Sequence, residues 1–146
     1  MDYTLDHVGV SVENLDAQVE WYSRALGLER KGRFQVEALG LSGEFLLSPE
    51  GWAIEMLQRE GSGGGLRAPD PMTALLTRGY GHICLRVTDV DAMFDSLIAA
   101  GGVEKLSPRQ SPEPGVRFAF VADPEGNLIE LLDRKGPIGF NAGSAQ

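Results

Sequence analysis

Apolar and polar residues alternate along the first stretch of the chain. Val8, Val10 and Val12 fall on one side of an extended backbone, and His7, Gly9 and Ser11 fall on the other. Residues 3–12 therefore read as a strand. The period then changes. Leu15, Val19, Tyr22 and Leu26 recur every three or four residues, the spacing of a buried helical stripe. This predicts a helix over about 15–26, with Asn14 as N-cap and Gly27 as its stop. Strands fit next at roughly 28–38, 41–48 and 52–58, with Pro49-Glu50-Gly51 turning the chain between the last two. The order is βαβββ.

Residues 59–78 read as a joint. Gly61-Ser62-Gly63-Gly64-Gly65 is flexible by composition, Pro69 and Pro71 stiffen the chain after it, and Met72 to Leu76 suit a short helix. Alternation resumes at 80–88, with Ile83, Leu85 and Val87 on one face and His82, Cys84 and Arg86 on the other. Asp89 or Asp91 opens a helix to about residue 100, with Val90, Phe94, Leu97 and Ile98 inward and Gly101-Gly102 at its end. Residues 107–115 hold three Pro and one Gly and read as a loop. Strands at 116–122 and 127–133 flank the turn Pro124-Glu125-Gly126. The expected organisation is a first module over 1–58, a linker over 59–78, a second module over 79–134 and a flexible tail over 135–146.

The two modules are copies. At an offset of 75 residues the chain aligns with itself without a gap, and 16 of the 51 positions from 7 to 57 are identical. Roughly three matches would be expected from average composition alone. His7 falls on His82, Glu55 on Glu130, Phe45 on Phe120, and Pro49-Glu50-Gly51 on Pro124-Glu125-Gly126. The fold class expected is α+β, with two paired βαβββ modules sharing a core, because about 60 residues alone make a marginal domain.

Composition narrows the function. The chain has 146 residues and a net charge of −8, which opposes nucleic acid as a partner. A single Cys allows no internal disulfide and suits a reducing compartment. Met1-Asp2-Tyr3-Thr4 begins no signal peptide, and no apolar run reaches the length of a membrane span. A cytoplasmic setting and no membrane partner are expected.

The only two His of the chain are a matched pair, and each comes with a matched Glu. Alternation places Glu55 between Ala53 and Leu57, and Glu130 between Leu128 and Leu132. A carboxylate among apolar neighbours is costly unless something offsets its charge. A divalent cation would offset both carboxylates and occupy both imidazoles. His7, Glu55, His82 and Glu130 are therefore the candidate metal ligands. Two N and two O donors suit Ni²⁺, Co²⁺, Zn²⁺, Mn²⁺ or Fe²⁺, and four protein ligands leave two positions of an octahedral shell open.

These residues resemble the vicinal oxygen chelate superfamily, the group of glyoxalase I, extradiol dioxygenases, methylmalonyl-CoA epimerase and the fosfomycin and bleomycin resistance proteins. The resemblance runs from about Tyr3 to Asp133. It rests on Asp6-His7-Val8-Gly9-Val10, on Trp21-Tyr22 before Ala25-Leu26-Gly27-Leu28, on Gly81-His82-Ile83, and on Asp123-Pro124-Glu125-Gly126-Asn127 followed by Ile129-Glu130-Leu131. It implies modules that each form half of a curved sheet, a metal in the cup between them, and a homodimer with modules paired within or across chains. Gly79-Tyr80-Gly81-His82-Ile83 and the ligand order His, Glu, His, Glu look most like bacterial glyoxalase I.

In that enzyme the metal holds adjacent oxygens of a thiohemiacetal while a Glu at a ligand position moves a proton. The resemblance makes Glu130 the first candidate for this base and Glu55 the second. One departure matters. Glyoxalase I proteins that use glutathione resemble one another in an Arg a few residues after the first His, where this chain has Val8-Gly9-Val10-Ser11-Val12, and Glu55 is followed by Met56-Leu57-Gln58. This argues against glutathione as cosubstrate. The counterpart of Ser11 is Arg86, a candidate for holding an anionic group, with Arg117 a weaker one. Ser11, Cys84, Arg86 and Phe120 are the candidate substrate contacts, and Trp52, Phe45 and Phe118 are further candidates for pocket walls.

The resemblance leaves other activities open. An extradiol dioxygenase uses two His and one Glu, so Glu55 would crowd its sites for catechol and O₂. A CoA-thioester epimerase usually resembles His, Gln, His, Glu, from which Glu55 departs. Drug-binding proteins resembling the bleomycin resistance group typically lack the four ligands retained here.

Overall fold

The computed structural model describes residues 1–138, so most of the expected tail lies outside the described residues. The chain is α+β and divides into two compact units, Met1–Gly64 and Gly65–Gln146. The division falls within the 59–78 stretch. Among the described residues no helix is long and apolar enough to cross a membrane.

The first unit holds β1 (His7–Ser11), α1 (Leu15–Leu26), β2 (Glu29–Val36), β3 (Leu41–Leu47) and β4 (Ala53–Arg59), with a short 3₁₀ turn at Glu37–Leu39. The sheet order is β1-β4-β3-β2, with β1 and β4 parallel and the other pairs antiparallel. The Asn14 side chain accepts the Ala17 N–H at 3.0 Å and starts α1, and Gly27 ends it at φ 66°. Residues with a side chain rarely adopt that backbone conformation. The Gln58 amide oxygen accepts the N–H of Leu15 and joins the start of α1 to the end of β4. Helix α1 packs on β3 and β4. Leu15, Val19, Trp21 and Tyr22 are buried, as are Val12 just after β1 and Leu46, Ile54 and Met56 on the strands.

The second unit repeats the order after α2 (Pro71–Ala74): β5 (His82–Arg86), α3 (Val90–Ala99), β6 (Val103–Gln110), β7 (Arg117–Ala122) and β8 (Leu128–Asp133). Its sheet order is β5-β8-β7-β6, again with the first and last strands parallel. Asp89, not Asp91, caps α3 by accepting the Ala92 N–H at 3.0 Å. Val90, Phe94 and Leu97 are buried under the sheet as the spacing predicts. The short helix expected at Met72 to Leu76 starts one residue earlier, at Pro71, because Asp70 caps it through the Thr73 N–H.

One expectation is corrected. Residues 107–110 are not loop but the second half of β6. Pro108 lacks the N–H a central strand needs, yet β6 is the edge of its sheet. Its register with β7 shifts between Leu106 and Arg109, which leaves Pro108 outside the ladder.

The turn into β8 is held by Asp123, which is fully buried. Its Oδ1 accepts the N–H groups of Glu125 and Asn127, both at 2.9 Å, and its Oδ2 accepts the Asn127 amide at 2.8 Å. The matching residue in the first unit is Ser48, whose hydroxyl accepts the Glu50 N–H. Asp123→Ala strips two turn N–H groups of their acceptor. It should lower stability by about 2–4 kcal/mol, read as a shift of the urea midpoint. An unchanged midpoint would show that the turn holds itself without the carboxylate.

Candidate metal centre

In each unit the first and last strands pair in parallel. The first strand presents its His, and the last presents its Glu, on the same face of the sheet. The burial pattern of β1 and β5 is identical, with His7, Gly9 and Ser11 exposed and Val8 and Val10 half-buried, and with His82, Cys84 and Arg86 exposed and Ile83 and Leu85 half-buried. In the first unit Gly9 lies beside Glu55, and in the second Cys84 lies beside Glu130.

His7 Nε2 lies 3.4 Å from Glu55 Oε2, and His82 Nε2 lies 3.1 Å from Glu130 Oε2. Two donors each about 2.1 Å from one ion and at a right angle to each other lie about 3.0 Å apart. Each pair therefore has the separation of neighbouring ligands on a divalent cation, and each pair fits the group. The carboxylates are the better shielded partners. Glu55 and Glu130 side chains are 22% and 17% exposed, against 35% for each imidazole. Among the described residues no three His, Cys, Asp or Glu side chains converge as a metal group, so each pair taken alone offers two of the four ligands expected.

Each imidazole is braced by a ring from the third strand of its unit. Phe45 meets His7 edge-to-face with centroids 5.4 Å apart, and Phe120 meets His82 in the same way at 5.1 Å. The ring row continues with Phe34 against Phe45 at 5.8 Å and Phe118 against Phe120 at 6.2 Å. The repeat is preserved by exchange here. Gly43 is the counterpart of Phe118, and the ring of Phe34 from the neighbouring strand lies over it. A Cβ on Gly43 would sit closer to Phe34 Cζ than van der Waals contact allows. Gly43→Ala should displace that ring, cost about 1–3 kcal/mol and loosen the bracing of His7. Unchanged thermal stability would mean that the ring moves aside freely.

His7 has a partner that His82 lacks. Asp6 Oδ2 accepts from His7 Nδ1 at 2.7 Å, while Gly81 occupies the matching place in the second unit. The bond to Asp6 is the largest cause that raises the His7 pKa above its ordinary value; burial opposes it, and the charge of Glu55 adds a lesser upward push. With Nδ1 donating to a carboxylate, the neutral ring presents the Nε2 lone pair toward Glu55, the tautomer a metal ligand requires.

The sequence matches the Glyoxalase/Bleomycin resistance protein/Dioxygenase superfamily over residues 4–131. The chain belongs to this superfamily. It is 29% identical over 136 residues to a probable lactoylglutathione lyase of Vibrio cholerae, with 88% of this chain and 89% of that protein covered. It is 30% identical over 137 residues to an ethylmalonyl-CoA/methylmalonyl-CoA epimerase of Cereibacter sphaeroides, covering 87% and 95%. Glyoxalase I from Zea mays shares the fold with a TM-score of 0.72 at 21% identity, over 89% of this chain and 44% of that one, so the chain spans less than half of the plant protein.

The remaining candidates of this superfamily member fall in different settings. Ser11 and Arg86 are exposed on the faces that carry His7 and His82. Cys84 is exposed as a residue, yet burial of its thiol, followed by the adjacent Glu130 carboxylate, pushes the thiol up to about 12. It is a protonated neighbour of Glu130, not a thiolate. Phe120 is 6% exposed and packs against His82 and the apolar cluster of Ala68, Ala74, Ala122 and Leu128. Arg117 is held in a two-pronged contact by Asp91, at 2.6 Å for each prong, and so is not a free cation. Three features escaped the sequence. Asp6 was signalled only by its adjacency to His7, Phe34 only by the missing Phe at Gly43. Arg134, whose charge reaches Cys84 and which Glu113 holds at 2.7 and 3.1 Å, gave no signal.

Proposed function

We propose that the chain is a divalent-metal-dependent lyase or isomerase that acts on a small substrate with two adjacent oxygens. His7, Glu55, His82 and Glu130 are its metal ligands, and one Ni, Co, Zn, Mn or Fe ion is its cofactor. When bound, such an ion would supply Lewis-acid charge that offsets the negative charge growing on the two substrate oxygens as a neighbouring carbon loses its proton. Glu130 takes that proton on its carboxylate and returns it, and Glu55 is the second candidate for this step. Asp6 sets the tautomer of His7, and Phe45 and Phe120 fix the ring planes. The working form is a homodimer.

The observation that carries this reading is the repetition of one His–Glu pair, braced by one Phe, at matched positions of both units. The names of the relatives, a lyase and an epimerase, support proton transfer as the common chemistry. A CoA-thioester epimerase is the second reading, favoured by the Cereibacter relative and its 95% coverage. Elemental mass spectrometry of gently purified protein, followed by anaerobic assays, tests both. About one divalent ion per chain, and turnover without O₂ that a chelator abolishes, is the expected result. Turnover that consumes O₂ would replace the isomerase with a ring-cleaving dioxygenase. A protein that takes up no ion even on reconstitution would leave a drug-sequestering binder as the better account. Thiohemiacetals and malonyl-type CoA thioesters then separate the two readings.

A further inference from the structure

The two imidazoles stand in settings that agree on one side of the ring and differ on the other. On the Nε2 side they match. His7 Nε2 lies 3.4 Å from Glu55 Oε2, and His82 Nε2 lies 3.1 Å from Glu130 Oε2. Each ring meets its Phe edge-to-face, with interplanar angles of 84° and 83°. On the Nδ1 side they differ. His7 Nδ1 donates to Asp6 Oδ2 at 2.7 Å, whereas Gly81 stands at the matching place before His82 and offers no side chain. Among the described residues Glu130 is the one carboxylate paired with His82. Asp6 is itself placed by the sheet, because its carbonyl accepts the Ala53 N–H at 3.3 Å.

A neutral imidazole carries one ring proton, and the nitrogen that faces the better acceptor keeps it. At His7 two carboxylates compete for that proton. Asp6 at 2.7 Å makes a full-strength, charge-assisted hydrogen bond and Glu55 at 3.4 Å a poor one, so the proton sits on Nδ1. At His82 only Glu130 competes, and at 3.1 Å it draws the proton to Nε2. The Nε2 lone pair of His7 is then free toward Glu55, while a proton fills the matching place between His82 and Glu130. Ligation through Nε2 needs the first arrangement.

We propose that Asp6 is a positioning residue that sets the two imidazoles in opposite tautomers before an ion binds, with His7 protonated on Nδ1 and preset to ligate and His82 protonated on Nε2 and bonded to Glu130. The use of this asymmetry rests on the metal-dependent reading above. Ligation by His82 requires its proton to leave Nε2 and water to return one to Nδ1, with no net change in protonation. Glu130 gives up its bond to the ring in the same exchange. His7 and Glu55 need no such rearrangement. The repeat also supplies a control. Gly81 lies outside the left-handed backbone region, and a Cβ added there meets nothing within 4 Å. Gly81→Asp can therefore copy Asp6 into the second unit.

The test reads the ring protons directly. The chain has only two His, so two-bond ¹H–¹⁵N NMR of the metal-free full chain assigns every imidazole nitrogen, at a pH where both rings are neutral. The wild type should show Nδ1–H at His7 and Nε2–H at His82. Asp6→Ala should move the His7 proton to Nε2. Asp6→Asn should leave it on Nδ1, since the amide oxygen still accepts. Gly81→Asp should move the His82 proton to Nδ1. Calorimetric titration with Co²⁺ then reads the consequence. Asp6→Ala should weaken binding about tenfold and Gly81→Asp strengthen it by about the same factor, the low end of what a hydrogen-bonded partner of a ligating imidazole supplies. The same tautomer on both rings of the wild type, or a His7 tautomer untouched by Asp6→Ala, overturns the proposal and leaves the metal site standing. Tautomers that move as expected with no change in Co²⁺ affinity overturn the positioning role. A wild type that takes up no Co²⁺ removes the metal-dependent reading, and the use assigned to Asp6 with it.

Discussion

Glu130→Gln should lower turnover by about 10²- to 10⁴-fold at saturating metal, the range that a positioned proton acceptor supplies. The variant keeps the shape of the side chain and one ligating oxygen but cannot hold a proton. The site tolerates the change sterically, because Gln has the shape of Glu, and half-buried Glu130 sits between buried Leu128 and Leu132 with Phe120 opposite. Folding should persist, since removing a charge from an apolar face relieves a desolvation cost. Metal content should fall, because an amide oxygen is a weaker ligand than a carboxylate. The assay is therefore run with excess metal, so that loss of the proton acceptor is separated from loss of the ion. Glu55→Gln under the same conditions should cost less in kcat. Full activity of Glu130→Gln with impaired Glu55→Gln would exchange the two roles. Full activity of both would remove carboxylate proton transfer altogether.

His82→Ala should abolish stable metal binding, with content by elemental mass spectrometry falling from about one ion per chain to a small fraction of that. Under the proposed reading one of four ligands is lost, and even changes outside the coordination shell cost about 10- to 100-fold in affinity. The variant also leaves the edge of Phe120 without its ring partner and Glu130 without the imidazole 3.1 Å away. His7→Ala should act in the same direction, and there Asp6 and Glu55 both lose a partner. Unchanged metal stoichiometry in either variant would mean that the ion, if present, is held elsewhere. Agreement of the two variants would tie the pairs from both units to one ion.

Much of the fold was legible because its signals are local. The 3-to-4 spacing of Leu15, Val19, Tyr22 and Leu26, bracketed by Asn14 and Gly27, fixes α1 without reference to the rest of the chain. The alternation through His7 and His82 correctly assigns the exposed and half-buried faces of β1 and β5. The second half of β6 was not legible. Pro108 signals a break in any single sequence, and only the position of the strand at a sheet edge makes it harmless. The His–Glu pairings could be inferred from the repeat, although neither residue is local to the other. The supporting groups could not. Phe34 reaches across to Gly43 from another strand, and Arg134, beyond the end of β8, pairs with Glu113 in the segment before β7. Such contacts depend on strand register, which a pattern of residue types does not specify.

The parallel pairing of first and last strands also bears on how each module folds. The two members of a His–Glu pair stand 48 positions apart (7 to 55, 82 to 130), and each pair exists only once the final strand has docked beside the first. Closing so long a loop belongs among the later steps of folding, because its entropic cost precedes any gain from the contact. A nascent chain that stops before Leu128 carries His82 but no chelating partner for it. Under the proposed reading, the ion has no high-affinity site on a half-made module, and its binding energy is added only to the finished one. Metal supply would then govern how long the completed protein survives in the cell, as well as how fast it works.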